Sequence, residues 1–338
     1  MTIFEEEVRK PKYDFLTTDE HLGDNIAILC VGGSYSYGMN VPTSDVDIRG
    51  VAVNSARELL LANGFEQVER DEPDVTIYSF NKVLNLMSAC NPNVIEMLGL
   101  RPEHYLYVSK YGQMLLDNKE LFLSKVAIRS FGGYANAQLR RLDNKSGRIG
   151  DAHNQAVHII NSMKNALYAV KQLVRPFEAD ENFDLVLDEN NQVIVNAALR
   201  GYPLNELYRL VAEADKVRHD YEKLGARNSH AIEHNKIGKH MAHLFRVLYT
   251  GIDILEQQKI ITYREQEKDL LLAIRNNALL TAEGQPTDEF WDLLQSVEAR
   301  FSYAKENTSL PDRPDYKAIA ELQFEVNKDI VANFMANQ

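Results

Sequence analysis

The sequence is poor in cysteine and lacks long hydrophobic runs. Its 338 residues include two cysteines, Cys30 and Cys90, too few for a disulfide framework or for a zinc site with four thiolate ligands. No segment approaches the roughly 18 consecutive apolar residues that a transmembrane helix needs. The first residues, MTIFEEEVRKPKYDF, are charged where a secretory signal peptide is apolar. We therefore expect a cytoplasmic protein that does not associate with membranes.

Positive charge is also scarce, because 37 Lys and Arg residues stand against 49 Asp and Glu residues and the net charge is −12. A field of this sign repels polyanions at long range, which disfavours indiscriminate binding of duplex nucleic acid. A local basic surface can still hold phosphate, since salt screens distant charges. The most basic segment has two interpretations, a solvated helix end or an RNA-contacting surface, and it contains Arg140, Arg141, Lys145 and Arg148.

The remaining composition, 45% hydrophobic and 25% charged, is that of a globular protein with a sizeable core. The length suggests two domains, at roughly 150 residues each. We predict an α+β fold in which residues 1–115 form a small mixed β-sheet with flanking helices and residues 116–338 form a mostly α-helical domain. Two β-branched runs around residues 189–191 predict a short β-hairpin near 184–196 in the helical part.

Local patterns predict the individual elements. Apolar character predicts a strand over 25–31, and alternation of apolar and polar residues predicts strands over 46–53 and 74–79. Apolar residues at helical spacing predict a helix over 80–89. Further helices are predicted over 121–142, 152–173, 204–224, 229–258, 266–279, 287–303 and 316–335.

The most informative segment is residues 31–51, VGGSYSYGMNVPTSDVDIRGV. It opens with a glycine–serine turn at 32–34, where backbone amides can approach a phosphate closely because no bulky side chain intervenes. It continues to Asp45 and Asp47, whose carboxylates would project from one face if the following strand began at residue 45.

Two neighbouring carboxylates require a counter-ion, and hard cations such as Mg²⁺ supply one when they bind carboxylates together with substrate phosphates. Asp74, which opens the next predicted strand, is the best candidate for a third carboxylate. Three carboxylates can hold two metal ions that clamp the attacking and leaving oxygens of a phosphoryl group. The pattern therefore predicts phosphoryl-transfer chemistry.

A glycine–serine turn followed by an acidic-x-acidic strand resembles the DNA polymerase β-like nucleotidyltransferase superfamily. The resemblance implies that Gly33 and Ser34 hold the terminal phosphates of a nucleotide. It also implies that Asp45, Asp47 and Asp74 bind Mg²⁺ or Mn²⁺. The fuller string GGSYSYGMNVPTSDVDIRGV is similar, more narrowly, to an uncharacterised branch that includes nucleotidyltransferases associated with RNA ligases.

Two further segments resemble the same branch, NPNVIE at 91–96 and KHMAHLFR at 239–246. Glu96, in the first, is interpretable as a metal or nucleotide ligand or as a buried carboxylate at a helix start. Three residues of the second segment share one face of a predicted helix: Lys239, His243 and Arg246. This face has two interpretations, a cationic surface that binds the NTP or a solvated polar face.

These features predict a metal-dependent nucleotidyltransferase that moves a nucleoside monophosphate from an NTP to an acceptor hydroxyl and releases pyrophosphate. Asp45 and Asp47 would bind the metals, and Asp74 would also help to deprotonate the acceptor. An RNA end is the acceptor that the resemblance implies, whereas adenylylation of a protein or small molecule suits the net charge better. A third interpretation is a non-catalytic nucleotide-binding interaction protein.

Overall fold

A computed structural model of the chain describes residues 3–146, 183–187, 189, 193–197, 208, 212, 237–282 and 284–337. It confirms the predicted α+β class, with a five-stranded mixed sheet, a two-stranded sheet and many helices. The described strands are β1 (Ile26–Val31), β2 (Ile48–Ala52), β3 (Gln67–Arg70), β4 (Val75–Ser79), β5 (Tyr105–Val108), β6 (Phe183–Leu187) and β7 (Val193–Ala197).

The described α-helices are α1 (Ile3–Glu7), α2 (Phe15–Thr18), α3 (Gly33–Tyr37), α4 (Ala56–Leu61), α5 (Phe80–Ser88), α6 (Pro92–Ile95), α7 (Lys110–Asp117), α8 (Val126–Ser146), α9 (Ile237–Gln257), α10 (Lys268–Arg275), α11 (Asp288–Asn307) and α12 (Tyr316–Ala336). Short 3₁₀ helices lie at Pro11–Tyr13, Gly23–Asn25, Glu96–Gly99, Pro102–His104 and Lys119–Phe122. Within these ranges, none of the helices combines the length and the apolar character that crossing a bilayer requires.

The larger sheet has the strand order β3-β4-β2-β1-β5. Its β1 reads IAILCV and is buried along its whole length, as its apolar sequence requires. Side chains from the helices preceding β1 and from four of the strands form the core beside it. Members of this core include Tyr13, Leu16, Leu22, Ile26, Leu29, Ile48, Ala52, Val68, Val75 and Ile77.

The direction of the strands determines which loops meet. β1 runs antiparallel to β2 and β5, and β3 runs antiparallel to β4. In contrast, β2 and β4 run parallel, with Ile48 opposite Val75. Parallel strands in register begin at the same edge of a sheet, so the residues that precede them, Asp47 and Asp74, lie at that edge as well.

Residues with capping side chains begin two of the helices that follow strands. The Ser79 hydroxyl accepts a hydrogen bond from the Lys82 amide at 3.2 Å and starts α5 directly after β4. Ser55 and Glu58 form a reciprocal capping box at the start of α4. Both caps satisfy amides that the first turn of a helix leaves without partners.

The chain forms two compact units. The first contains Met1–Ala135, Phe245–Leu272 and Leu293–Gln338, and the second contains Asn136–Leu244 and Ala273–Asp292. This division differs from the predicted one, because a boundary at residue 115 falls inside the first unit.

Packing of the C-terminal helix explains why the first unit is discontinuous. Helix α12 contacts α4, α5 and α7. Its Asp329 carboxylate accepts hydrogen bonds from Lys110 Nζ at 2.5 Å and from the Tyr111 hydroxyl at 2.8 Å. The C-terminal helix α12 therefore packs against elements from the N-terminal part of the same unit.

Most predicted elements in the described ranges are confirmed, with small shifts at their ends. The hairpin near 184–196 is formed by β6 and β7, which pair antiparallel. The helix predicted over 121–142 begins later, at Val126, because a 3₁₀ turn precedes it. The helices predicted over 152–173 and 204–224, apart from residues 208 and 212, and the start of the one over 229–258 lie outside the described residues, as does Arg148.

Candidate active site

The glycine turn after β1 contacts one of the predicted carboxylates. Gly33 begins α3 with a φ of +59°, a backbone conformation that residues with a side chain rarely adopt. A Cβ atom added to Gly33 would lie 1.5 Å from Asp47 Oδ2. Both the backbone and the neighbouring carboxylate therefore exclude a side chain at position 33. The structure thus brings together the glycine turn and Asp47.

Asp45 and Asp47 lie in the loop that leads into β2, not in the strand itself. The predicted strand over 46–53 is shorter because a turn precedes it, closed by a 2.8 Å hydrogen bond from the Ser44 amide to the Val41 carbonyl. The Gly32 amide donates a 2.8 Å hydrogen bond to the Asp47 carbonyl and holds the segment against the glycine turn. Asp45 is exposed, and Asp47 is half-buried.

Asp74 lies in the turn that precedes β4, and it pairs with Arg49 of β2. Arg49 Nη1 donates a hydrogen bond to Asp74 Oδ1 at 2.9 Å, and the Ile48 amide donates one to the Asp74 carbonyl at 2.9 Å. Burial acts to lower the pKa of Arg49, but the hydrogen bond to Asp74 and the negative charges of Asp74 and Asp47 outweigh it and raise that pKa. Arg49 thus supplies positive charge to two of the three candidate carboxylates.

Arg49 is a site residue that the sequence analysis did not predict, although the order of residues in the chain contains a sign of its position. In the string D-V-D-I-R, Arg49 alternates with Asp45 and Asp47 and so has the same strand parity. Alternation could have suggested that an arginine side chain lies beside the carboxylates. Its pairing with Asp74, 25 residues away, depends on the parallel register of β2 and β4.

The carboxylates do not form a ready-made cage for a metal ion. Among the residues that the structure describes, no three His, Cys, Asp or Glu side chains are grouped so that they could hold one. Mg²⁺ commonly uses one or two carboxylates and takes its other ligands from waters and substrate phosphates. The hard oxygen donors of Asp45 and Asp47 fit that requirement.

The Ser34 hydroxyl is available to a ligand. Ser34 is half-buried near the start of α3, and its carbonyl accepts a 2.9 Å hydrogen bond from the Met39 amide. Its hydroxyl makes no hydrogen bond with any described residue. The first amides of a helix also lack partners within that helix. A donor side chain and backbone donors therefore lie in the same turn.

The predicted cationic face at 239–246 is only partly as expected. Helix α9 is present, with Lys239 exposed and His243 half-buried in the second unit. Their role toward an NTP stays a prediction. The expectation of an accessible Arg246 is wrong, because its side chain is 2% exposed and its Nη1 donates a 2.7 Å hydrogen bond to Glu96 Oε2.

Tyr37, Glu96 and Arg246 form one buried cluster, which we call the Tyr37 cluster. The Tyr37 hydroxyl donates a 2.5 Å hydrogen bond to Glu96 Oε1, and the Arg246 guanidinium lies 3.9 Å from the centre of the Tyr37 ring. Burial raises the pKa of Tyr37, and the negative charge of Glu96 adds to that effect. Glu96 is therefore a buried carboxylate at the start of a 3₁₀ helix, paired with Tyr37 and Arg246, and a role as a metal or nucleotide ligand stays a prediction.

The Tyr37 cluster anchors the helix that carries the glycine turn. Tyr37 is the last residue of α3, and its carbonyl accepts a 3.1 Å hydrogen bond from the Arg264 amide. Gly38 follows with a φ of +75°, and a Cβ atom there would lie 2.5 Å from the Tyr263 ring. Both ends of α3 are thus held, one by Asp47 and the other by buried residues from distant parts of the chain.

Comparison with known proteins identifies the family of the chain. A family model described as the RNA repair pathway DNA polymerase beta family matches residues 11–180. An uncharacterised 38.9 kDa protein of the nrdC–mobD intergenic region of Enterobacteria phage T4 is 25% identical over 144 residues. That alignment covers 39% of this chain and 42% of the phage protein, so less than half of either is compared. No solved structure matches the chain. Because the family model covers half of the sequence, including the glycine turn and all three aspartates, the chain belongs to the RNA repair pathway DNA polymerase beta family.

Proposed function

We propose that the protein is a metal-dependent nucleotidyltransferase that moves a nucleoside monophosphate from an NTP to an acceptor hydroxyl. The observation that carries the proposal is the contact between the Asp47 carboxylate and Gly33 at the strand-to-helix turn. This contact puts a hard oxygen ligand beside a turn whose amides and Ser34 hydroxyl can bind phosphate. Membership of a polymerase β-like family supports the same chemistry.

In the proposed reaction, the acceptor oxygen attacks the α-phosphorus of the NTP. A new bond forms between these atoms, and the bond from the α-phosphorus to the oxygen that bridges to the β-phosphate breaks. Pyrophosphate leaves with the bonding electron pair, and the hydroxyl proton passes to Asp74. Mg²⁺ or Mn²⁺ held by Asp45 and Asp47 would neutralise the phosphate charges, which is the main requirement of phosphoryl transfer.

Arg49 has to release Asp74 before that carboxylate can take part. The pair is partly exposed, with 25% of the Arg49 side chain and 49% of the Asp74 side chain accessible. Since half of the Asp74 side chain is open to solvent, a bound nucleotide can compete with Asp74 for the guanidinium. We propose that Arg49 then turns to a phosphate oxygen.

We propose an RNA end as the acceptor, because the family is described as part of an RNA repair pathway. Adenylylation of a protein or small molecule remains the alternative that suits the net charge of −12. A non-catalytic nucleotide-binding protein is a second candidate, and the pairing of Asp74 with Arg49 favours it, since a sensor needs no third carboxylate.

One labelling experiment separates these candidates. The protein is incubated with each of the four α-³²P-labelled NTPs, Mg²⁺ or Mn²⁺, and either mixed small RNAs or cell extract, and the labelled products are sized. We expect label in RNA that is lost in Asp47→Asn and retained in Asp24→Asn, a control at an exposed aspartate.

A labelled product of the size of a protein, or a labelled small molecule, would support the alternative acceptor. NTP binding without any labelled product would select the non-catalytic candidate. Equal transfer by wild type and Asp47→Asn would refute the assignment of the site.

A further inference from the structure

A surface cavity of about 510 Å³ lies in the first unit and uses none of the residues assigned above. Three helices form it: the end of α5, the start of α8 and the first residue of α12. Its volume falls within the range of about 300–1,000 Å³ that is typical of small-molecule sites. Its lining includes Asn85, Ser88, Ala89, Val126, Arg129 and Tyr316.

The walls of this cavity are tied to one another. The Ser130 hydroxyl of α8 donates a 2.8 Å hydrogen bond to the Cys90 carbonyl, just beyond the end of α5. The Lys125 amide donates a 2.8 Å hydrogen bond to the Pro311 carbonyl, and the Asp315 amide donates one of 3.1 Å to the Leu121 carbonyl. These bonds join the approaches to α8 and α12, so the shape of the cavity is present before any ligand binds.

Three side chains of different chemistry converge on the cavity without a partner in the described structure. The Arg129 guanidinium is exposed and makes no hydrogen bond or ion pair with a described residue. The Asn85 side-chain amide and the Tyr316 hydroxyl also make no hydrogen bond with a described residue. Tyr316 as a whole residue is 55% exposed. No lining residue is acidic, although the chain carries 49 carboxylate side chains.

We propose that this cavity binds one nucleotide unit, with its phosphate on Arg129, its base on the Tyr316 ring and a base edge on Asn85. A guanidinium binds phosphate through paired hydrogen bonds. An aromatic ring stacks on any base, and a side-chain amide both donates to and accepts from base edges. A free nucleotide and a nucleotide within an RNA strand share this chemistry. Binding here requires no divalent cation, because no carboxylate of the protein has to be neutralised.

The test is fluorescence anisotropy with a 5′-fluorescein-labelled RNA octamer in EDTA. We expect Arg129→Ala and Tyr316→Ala each to raise the Kd at least about fivefold, as loss of a phosphate contact or a stacked base requires. Tyr316→Phe keeps the ring and should stay within about twofold of wild type. Arg57→Ala is the matched control, since Arg57 is likewise exposed on a helix of the same unit and without a described partner.

Competition with unlabelled AMP distinguishes the two sources of the ligand. Displacement of the octamer by AMP would assign the cavity to a free nucleotide, and displacement only by longer RNA would assign it to a strand. Binding of neither probe by wild type would overturn the proposal. So would equal affinities of wild type, Arg129→Ala and Tyr316→Ala, with circular dichroism showing that all three are folded.

The same measurement on Asp47→Asn separates this inference from the proposed function. That variant should bind the octamer normally in EDTA while losing transfer. Transfer lost together with cavity binding in Arg129→Ala would show that the cavity serves the acceptor. Normal transfer in Arg129→Ala with weakened octamer binding would show that it serves another nucleotide.

Discussion

At the scale of single residues, Gly33 is constrained twice, by its positive φ and by the Asp47 carboxylate. We expect Gly33→Ala to lower the free energy of unfolding by about 1–2 kcal/mol from the backbone alone, and to displace Asp47 as well. Gly133→Ala is the control, because nothing lies within 4 Å of a Cβ atom added in that exposed part of α8. Alanine there should stabilise by up to about 1 kcal/mol. Urea denaturation of the two variants measures the contrast, and equal stabilities would contradict it.

Arg49 supplies positive charge to two carboxylates of the proposed metal site. Without its guanidinium, the Asp47 and Asp74 carboxylates at the same sheet edge lose the positive charge that Arg49 supplies. We expect Arg49→Ala to melt at a lower temperature than wild type without metal and to gain more from added Mn²⁺. Thermal melting with and without Mn²⁺ measures both effects. Arg300→Ala, which removes an exposed ion pair elsewhere, should respond to Mn²⁺ as wild type does.

Both thiols are buried, which predicts that they react slowly. Burial raises the pKa of Cys30 to about 12 and that of Cys90 to about 11, so both are neutral at physiological pH. A raised pKa in the folded state stabilises the fold at low pH, and the contribution is lost as pH rises from about 9 toward these values. We expect iodoacetamide to leave the native chain unlabelled at pH 8 and to label both thiols in urea. Mass spectrometry counts the additions, and rapid labelling of the native chain would contradict the assignment.

At the scale of elements, the Tyr37 cluster determines where α3 lies. Glu96→Gln should remove the negative charge that pairs with the buried Arg246 guanidinium and lower the free energy of unfolding by about 3 kcal/mol. Glu256→Gln removes the partner of the exposed Arg300 and should cost less than about 1 kcal/mol. Chemical denaturation compares them. A cost for Glu96→Gln no larger than that of the control would show that the cluster does not hold the fold.

The same cluster links stability to the proposed function. Tyr37→Phe removes one hydrogen bond to the Glu96 carboxylate and keeps the ring beneath Arg246. We expect a folded variant whose KM for NTP rises several-fold while kcat changes less, because α3 carries Gly33 and Ser34 but not the metal ligands. Steady-state kinetics separates the two constants. A lower kcat at unchanged KM would contradict this prediction, because the variant would then affect a step after NTP binding.

At the scale of the whole molecule, we expect the stability of the five-stranded sheet and its helices to depend on the C-terminal helix α12. Helix α12 covers α4, α5 and α7, so a fragment of residues 1–115 would expose their apolar faces. We expect that fragment to show no cooperative thermal unfolding by circular dichroism, whereas the full chain does. A cooperative transition in the fragment would support the predicted boundary at residue 115.

Local patterns were sufficient where the signal lies in neighbouring residues. The buried β1, the helix that starts after Ser79, the hairpin of β6 and β7, and the glycine turn followed by Asp45 and Asp47 all follow from short strings of sequence. The short elements β3 and β5 were missed because each offers too few residues for a period to be seen. In β3, for example, Val68 is the one buried residue of four.

What the sequence by itself determined is therefore the class of fold, the turn and the pair of carboxylates that point to nucleotidyl transfer. The tertiary structure alone decided the partners of the charges. Arg49 meets Asp74 because β2 and β4 run parallel, and Arg246 meets Glu96, 150 residues away, because packing puts both in one core. The physical reason is that helical and strand periods report the side of an element on which a residue lies. Packing and strand register determine which distant group faces that side, and the local periodicity of a sequence carries no information about either.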